Sequence, residues 1–223
     1  RATGDFKSLE KWLPKLEKGI DYITSAPDRF DKEHGLVMRP FTIDTWDFTN
    51  EMSSGGDRRI HENEPMSIMH GDNSGVFDAM NSLAWINEKL GNTEKAAEWK
   101  KRAEVIRENM MKYLWNGKFF IHQLHLGHKG LDDLESERLS LSNTYDMNRG
   151  LTTLEESRSI IEEYMRRRET TKAFAEFFSI DPPYRKFKEY DPGKYVNGAI
   201  SPFTAGELAK AAFNNGYEEY GYD

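Results

Sequence analysis

VFDAMNSLAWINEKLGNTEKAAEWKKRAEVIRENMMKYL, residues 76–114, reads as two helices and a hinge. Val76, Met80, Leu83, Ala84, Asn87 and Leu90 recur at three- and four-residue steps and share one stripe. Gly91 stands where a helix ends in the left-handed conformation, and Asn92 or Thr93 is placed to cap the next one. The second inward face is Ala96, Trp99, Ala103, Ile106, Met110 and Tyr113, running to Leu114. So short a connection makes the two helices antiparallel neighbours. The unit of this fold is a helical hairpin.

Upstream, Phe6, Leu9, Leu13, Leu16, Ile20 and Ile23 give residues 6–24 one apolar helical face, which Pro27 ends. From Met52 to Asp72 the chain is polar and Gly-rich, with no helical period, so a long loop is expected there. Downstream, Asn116-Gly117 forms a turn, Phe119–Leu124 is extended, and 127–150 is expected to be irregular. Thr153 and Glu156 form a capping box for a helix carrying Leu154, Ile160, Ile161, Tyr164 and Met165 inward. Arg166–Arg168 is expected to be the solvated end of that helix. Breaks at Asp181-Pro-Pro and Asp191-Pro-Gly enclose an aromatic loop with Tyr184, Phe187, Tyr190 and Tyr195. A last full helix runs from Pro202 to Asn214, with Leu208, Ala209, Ala212 and Phe213 inward, and another begins near Tyr217. Short turns alternating with long loops predict a single all-α domain over 1–223, with six or seven helices and a toroid of hairpins.

Lys and Arg total 31 against 38 Asp and Glu, a formal net charge of −7. That balance argues against nucleic-acid and membrane-surface binding, both of which need a basic face. No cysteine is present, so no disulfide or thiolate is available, which fits a reducing cytoplasm. No apolar run is long enough to span a membrane. His122, His125 and His128, three apart on an extended segment, are not expected to converge, and neither metal nor cofactor is expected. Aromatics make up 13% of the residues, a surplus that suits a polyol cleft and also a wet core.

The chemistry concentrates in Gly35–Asn50, where Asp44 and Asp47 flank Trp46 between Phe41 and Phe48. Glycoside cleavage needs a protonated carboxyl at the leaving oxygen and an aromatic face for the sugar. A three-residue spacing does not place two acids on opposite faces of a ring. One acid is therefore the proton donor and the other a sugar ligand, or else an Asp caps a short helix. His70-Gly-Asp-Asn-Ser-Gly75 reads as a capping loop ahead of the first hairpin, or as a binding loop through Asp72 and Asn73. Tyr195-Val-Asn197-Gly198 combines an aromatic, an amide and a Gly turn ahead of a helix. It serves either as a structural lead-in or as a sugar wall.

In order along the chain, these pieces resemble the six-hairpin (α/α)6-toroid glycosidases, in particular the trehalase-like and processing-glucosidase-like group. Asp44-Thr-Trp-Asp-Phe48 is similar to the family's acid-bearing segment, Leu114-Trp-Asn-Gly-Lys-Phe-Phe120 to its hairpin end, and Tyr195-Val-Asn-Gly198 with Ser201-Pro-Phe203 to its subsite turn. The resemblance implies an inverting glycoside hydrolase with Asp47 as general acid, its pKa raised by Trp46 and Phe48. Asp44, Trp46, Asp72, Asn73, Tyr195 and Asn197 become subsite walls, and a carbohydrate the partner. Two departures stand out. Ser201-Pro202 replaces an aromatic, and the family's general base falls past Asp223. The expectation is therefore a partial toroid, completed by the rest of its own polypeptide or another domain. Rival expectations are a toroidal sugar epimerase using His34, His61 or His70, and a non-enzymatic carbohydrate-binding module.

Overall fold

A computed structural model describes residues 4–43, 65–187 and 189–223. Seven α-helices occur among them: α1 (Phe6–Ile23), α2 (His70–Lys89), α3 (Thr93–Tyr113), α4 (Ser142–Asn148), α5 (Leu154–Thr170), α6 (Pro202–Asn214) and α7 (Glu218–Tyr222). The fold is mainly helical, but the all-α expectation needs correcting. Three small antiparallel sheets accompany the helices, pairing β1 (Phe30–Asp31) with β2 (Leu36–Val37), β3 (Arg39–Pro40) with β4 (Met66–Met69) and β4 with β5 (Gln123–Leu126), and β6 (Leu139–Ser140) with β7 (Ile180–Asp181). No described helix is long and apolar enough to cross a membrane.

The α2–α3 hairpin forms as the spacing predicts. Gly91 takes φ +81°, Asn92 N–H reaches the Asn87 carbonyl at 2.8 Å, and Met80, Leu83, Ala84, Trp99, Ala103, Ile106 and Met110 are buried between the two helices. Helix α1, capped by Asp5 accepting from Ser8 N–H at 3.0 Å, lays Leu13 and Glu17 inward. Glu17 is a buried charge, and its acceptor capacity is met by Asn87 (3.0 Å), Lys95 (3.0 Å) and Trp99 Nε1 (3.1 Å). The predicted capping box is present on α5.

Four further expectations are overturned. Helix α2 begins at His70, not Val76, and Met66–Met69 is a strand, so part of the Met52–Asp72 stretch is regular structure. Residues 127–150 are not all irregular, since α4 lies within them. On α6 the buried residues are Thr204, Leu208, Ala211 and Ala212, while Phe213 is exposed. Arg167 is buried, not solvated. It is held by Glu163 (2.9 Å), by Asp181 and by the Glu137 carbonyl (2.9 Å), because a guanidinium can satisfy three acceptors at once.

Packing follows an alternation: α2 lies against α4 and α4 against α6, with α1 and α3 flanking α2 and α5 and α7 flanking α6. The core falls into three parts, one around α2–α3, one around α5 and α6, and a third of Phe41, Ile43, Ile180, Tyr184, Phe187 and Val196. The aromatic loop expected around 184–195 is thus in part a core.

Candidate active site

Three helices begin side by side. His70, the first residue of α2, bonds Ser140 Oγ just ahead of α4 at 2.7 Å. The Leu141 N–H reaches the Ser179 carbonyl at 3.0 Å, and Ser179 N–H in turn reaches the Ala199 carbonyl at 2.8 Å, just ahead of α6. The positive ends of α2, α4 and α6 therefore share one face. The β3–β4 ladder rises at the same face, since β4 runs without a break into α2. Phe41 N–H donates to the Pro65 carbonyl at 2.8 Å, so the chain departs after Ile43 and returns beside its own starting point. Residues 44–64, with Asp44, Trp46, Asp47 and His61, lie outside the described residues.

The described candidates take different places. Asp72 lies in the first turn of α2, partly exposed, 3.5 Å from Arg39. Both edge an open groove of about 920 Å³ floored by Val37, Met38, Val76 and Ala79. Asn73 is fully buried. Its Oδ1 accepts Val37 N–H at 2.8 Å, and its Nδ2 donates to the carbonyls of Val37 (3.0 Å) and Met69 (2.8 Å). Asn197, equally buried, accepts Tyr184 N–H at 2.9 Å and donates to the carbonyls of Tyr184 (2.9 Å) and Tyr190 (3.1 Å). Both amides fasten backbone.

Tyr195 differs from these two. It is half-exposed, with φ 48°, a conformation that costs a non-glycine residue of order 1 kcal/mol or more and persists only when its surroundings hold it. Ser179 Oγ supplies that hold, bonding the carbonyls of Tyr195 (3.2 Å) and Val196 (2.8 Å). The Tyr195 ring lies 5.2 Å from that of Tyr190 and edges a cavity of about 400 Å³ with Tyr145, Ile200, Pro202 and Phe203.

Helix α4 stands between the two places. Arg149 crosses to α2, reaching the Gly71 carbonyl at 3.1 Å and Ser74 Oγ at 2.6 Å, and its guanidinium lies 5.4 Å from the Tyr145 ring. Burial and the nearby Glu207 raise the Tyr145 phenol above its ordinary value, against the pull of Arg149, so it remains a neutral hydroxyl. Sequence reasoning missed Tyr145 and Arg149 because nothing local marks α4 as a helix.

Two buried polar clusters also escaped it. Ser140, His70 and Asp146 are aligned like a nucleophile, base and orienting acid, with His70 Nδ1 to Asp146 Oδ2 at 2.6 Å. All three are fully buried, so no substrate reaches the serine hydroxyl, and the group acts as a fastener of α2, β6 and α4. His70 is likewise withdrawn from the role an epimerase would give it, and His34 is engaged by Asp31 at 2.7 Å beside Tyr113.

In the second cluster His122 and His125 converge after all, meeting the two oxygens of Glu135 at 3.0 and 3.2 Å. His122 precedes β5, so strand alternation does not part them. Tyr184 and Arg138 complete the shell of Glu135, at 2.8 and 3.4 Å. Burial pushes the Glu135 carboxyl up. The bonds from His122 and His125 and the charge of Arg138 outweigh burial and hold it well below the carboxylate range. Burial and the neighbouring Glu135 push the Tyr184 phenol well above its ordinary value. Among the described residues, no group of three or more His, Cys, Asp or Glu side chains, this one included, is arranged to hold a metal ion.

A family model described as the mannosylglycerate hydrolase MGH1-like glycoside hydrolase domain matches residues 2–220. No curated protein matches the chain. Among solved structures, an uncharacterized conserved protein from Thermus thermophilus aligns at TM-score 0.51 and 16% identity, covering 71% of this chain and 36% of its own. The GH63 mannosylglycerate hydrolase of the same organism, in complex with glucose, aligns at TM-score 0.50 and 16% identity, covering 70% of this chain and 37% of its own. At that identity the likeness is one of fold. The chain spans well under half the length of these structures.

Proposed function

We infer a function from one premise: this chain belongs to the mannosylglycerate hydrolase MGH1-like glycoside hydrolase domain family. Its role is to cleave the glycosidic bond of a short glycoside with inversion, within a six-hairpin (α/α)6 toroid to which 1–223 contributes one continuous domain. Asp47 protonates the leaving oxygen. A water attacks the opposite face of the sugar, activated by a carboxylate from another hairpin, since an inverting site needs room for that water. Trp46 forms a wall, Asp44 and Asp72 take sugar hydroxyls, and Tyr195 offers its half-exposed ring to a pyranose face, with Tyr145 beside it. Asn73 and Asn197 act one step back, shaping the backbone under the subsites.

The observation that carries this reading is the shared start of α2, α4 and α6. It supports the reading because Asp72, Tyr145 and Tyr195 lie near those helix starts, and β3 and β4, the described elements on either side of residues 44–64 in the chain, meet α2 there. The experiment is hydrolysis of a glycoside panel by the full-length protein, with mannosylglycerate among the compounds. Turnover of at least one compound is expected, and Asp47→Asn should lower kcat by about 10²- to 10⁴-fold, the range for loss of a general acid. An Asp47→Asn protein as active as the wild type overturns the assignment.

A further inference from the structure

We propose that Glu135 is a positioning residue that, through Tyr184 and Gln123, fixes the backbone at Thr42, from which the Asp44–Asp47 segment departs. The inference rests on the reading of Asp47 as the acid.

Glu135 takes donors from four side chains, those of His122, His125, Arg138 and Tyr184. An ionised carboxylate only accepts. Tyr184 must therefore donate its single hydroxyl proton to Glu135, at 2.8 Å from Oε2 and 3.1 Å from Oε1. That leaves the phenol oxygen as an acceptor, and Gln123 Nε2 donates to it at 2.9 Å. The other proton on the same nitrogen points to the Thr42 carbonyl at 3.3 Å. Every bond in the series has one permitted direction: Glu135 fixes that of the phenol, and the Thr42 carbonyl, which only accepts, fixes that of the amide.

The amide of Gln123 gives independent support. Its Oε1 is buried with no hydrogen-bond partner, a state natural proteins rarely leave unexplained. Turning the amide over would set that oxygen against the Thr42 carbonyl, acceptor to acceptor. The side chain keeps its orphan oxygen so that Nε2 can serve Thr42 and Tyr184 together. Thr42 is itself fully buried, with Phe41 and Ile43 in the third core, and Asp44 follows directly. Along the chain, the acid Asp47 follows Thr42 by five residues, so on this proposal the root at Thr42 sets where it can stand. Misplacement of about 1 Å is enough to cost on the order of 10²-fold in rate.

The test uses Glu135→Gln, Tyr184→Phe and the double variant, with Asp47→Asn as reference. Tyr184→Phe keeps the ring that packs against Arg138 at 3.7 Å and loses only the hydroxyl, and its activity too is expressed per folded molecule. For each single variant kcat is expected to fall about 10- to 100-fold, with KM little changed. The double variant should be no worse than the poorer single, because both break one series. Wild-type kcat in Tyr184→Phe, or losses in Glu135→Gln that vanish once activity is expressed per folded molecule, overturn the positioning role. If Asp47→Asn is still inactive in that case, the acid assignment stands. If Asp47→Asn is active, the acid assignment falls and takes this inference with it.

Discussion

An asparagine amide offers two donors and two acceptor sites, and Asn73 commits three bonds of that capacity to backbone of Val37 and Met69. Removing it strands buried groups with no water to replace the lost partners. Asn73→Ala should therefore lower unfolding free energy by about 1–3 kcal/mol, read from urea denaturation, while KM stays near the wild-type value. A large KM change at unchanged stability would return Asn73 to the sugar. Glu135 gives a prediction in pH. Its carboxyl ionises at lower pH in the folded chain than its ordinary 4.5, so its contribution to stability is complete above that value. The contribution drains away as pH falls further towards the folded pKa. Tm of the wild type should drop steeply below about pH 4.5, and Glu135→Gln should flatten part of that acid limb. Identical limbs in the two proteins would mean that Glu135 is not the group whose protonation loosens the fold.

Helix α1 hangs on one buried carboxylate. Burial alone would raise the pKa of Glu17, but its bonds to Asn87, Lys95 and Trp99 outweigh that and keep it ionised. Glu17→Ala leaves the Asn87 and Trp99 donors buried and unanswered, at a cost of about 1–3 kcal/mol. Because Glu17 ties α1 to both α2 and α3 from a buried position, limited proteolysis should then cut first within residues 6–23. A first cut elsewhere would show that apolar contacts of Leu9, Leu13 and Ile20 suffice. The sequence made α1, α2, α3, α5 and α6 readable because apolar residues recur every third or fourth residue along each. It hid α4 because the buried side of that helix is Asn143, Thr144 and Asp146, polar residues made tolerable by partners at Phe120, Leu141 and His70. The strands pair over two to four residues, too few for alternation to register. The Glu135 cluster was beyond local reading for a related reason. His122, His125, Arg138 and Tyr184 are spread over residues 122–184 of the sequence, and only the fold brings them to the one carboxylate of Glu135. Of the site itself, Tyr195 was legible as an aromatic before a Gly turn, and its left-handed backbone was not.

Across the whole molecule, the alternation of α2, α4 and α6 with flanking helices sets where two carboxylates can stand. Neighbouring helices lie about 8–10 Å apart axis to axis, so acids contributed by loops of different hairpins are separated by more than one carboxylate contact. A retaining glycosidase needs its pair about 5–5.5 Å apart, and an inverting one about 6.5–9.5 Å, with a water between the basic carboxylate and the sugar. Asp44 and Asp47 stand only three residues apart in sequence, so the proposed inverting reading draws its second carboxylate from another loop. Inversion follows as the expected outcome. The anomer first formed from an α-glycoside should be β, and from a β-glycoside α, before mutarotation mixes them. Proton NMR of the anomeric signals during the first minutes of turnover by the full-length protein reads this directly. Accumulation of the retained anomer would place both catalytic carboxylates close together and remove Asp47 from the role of a distant acid.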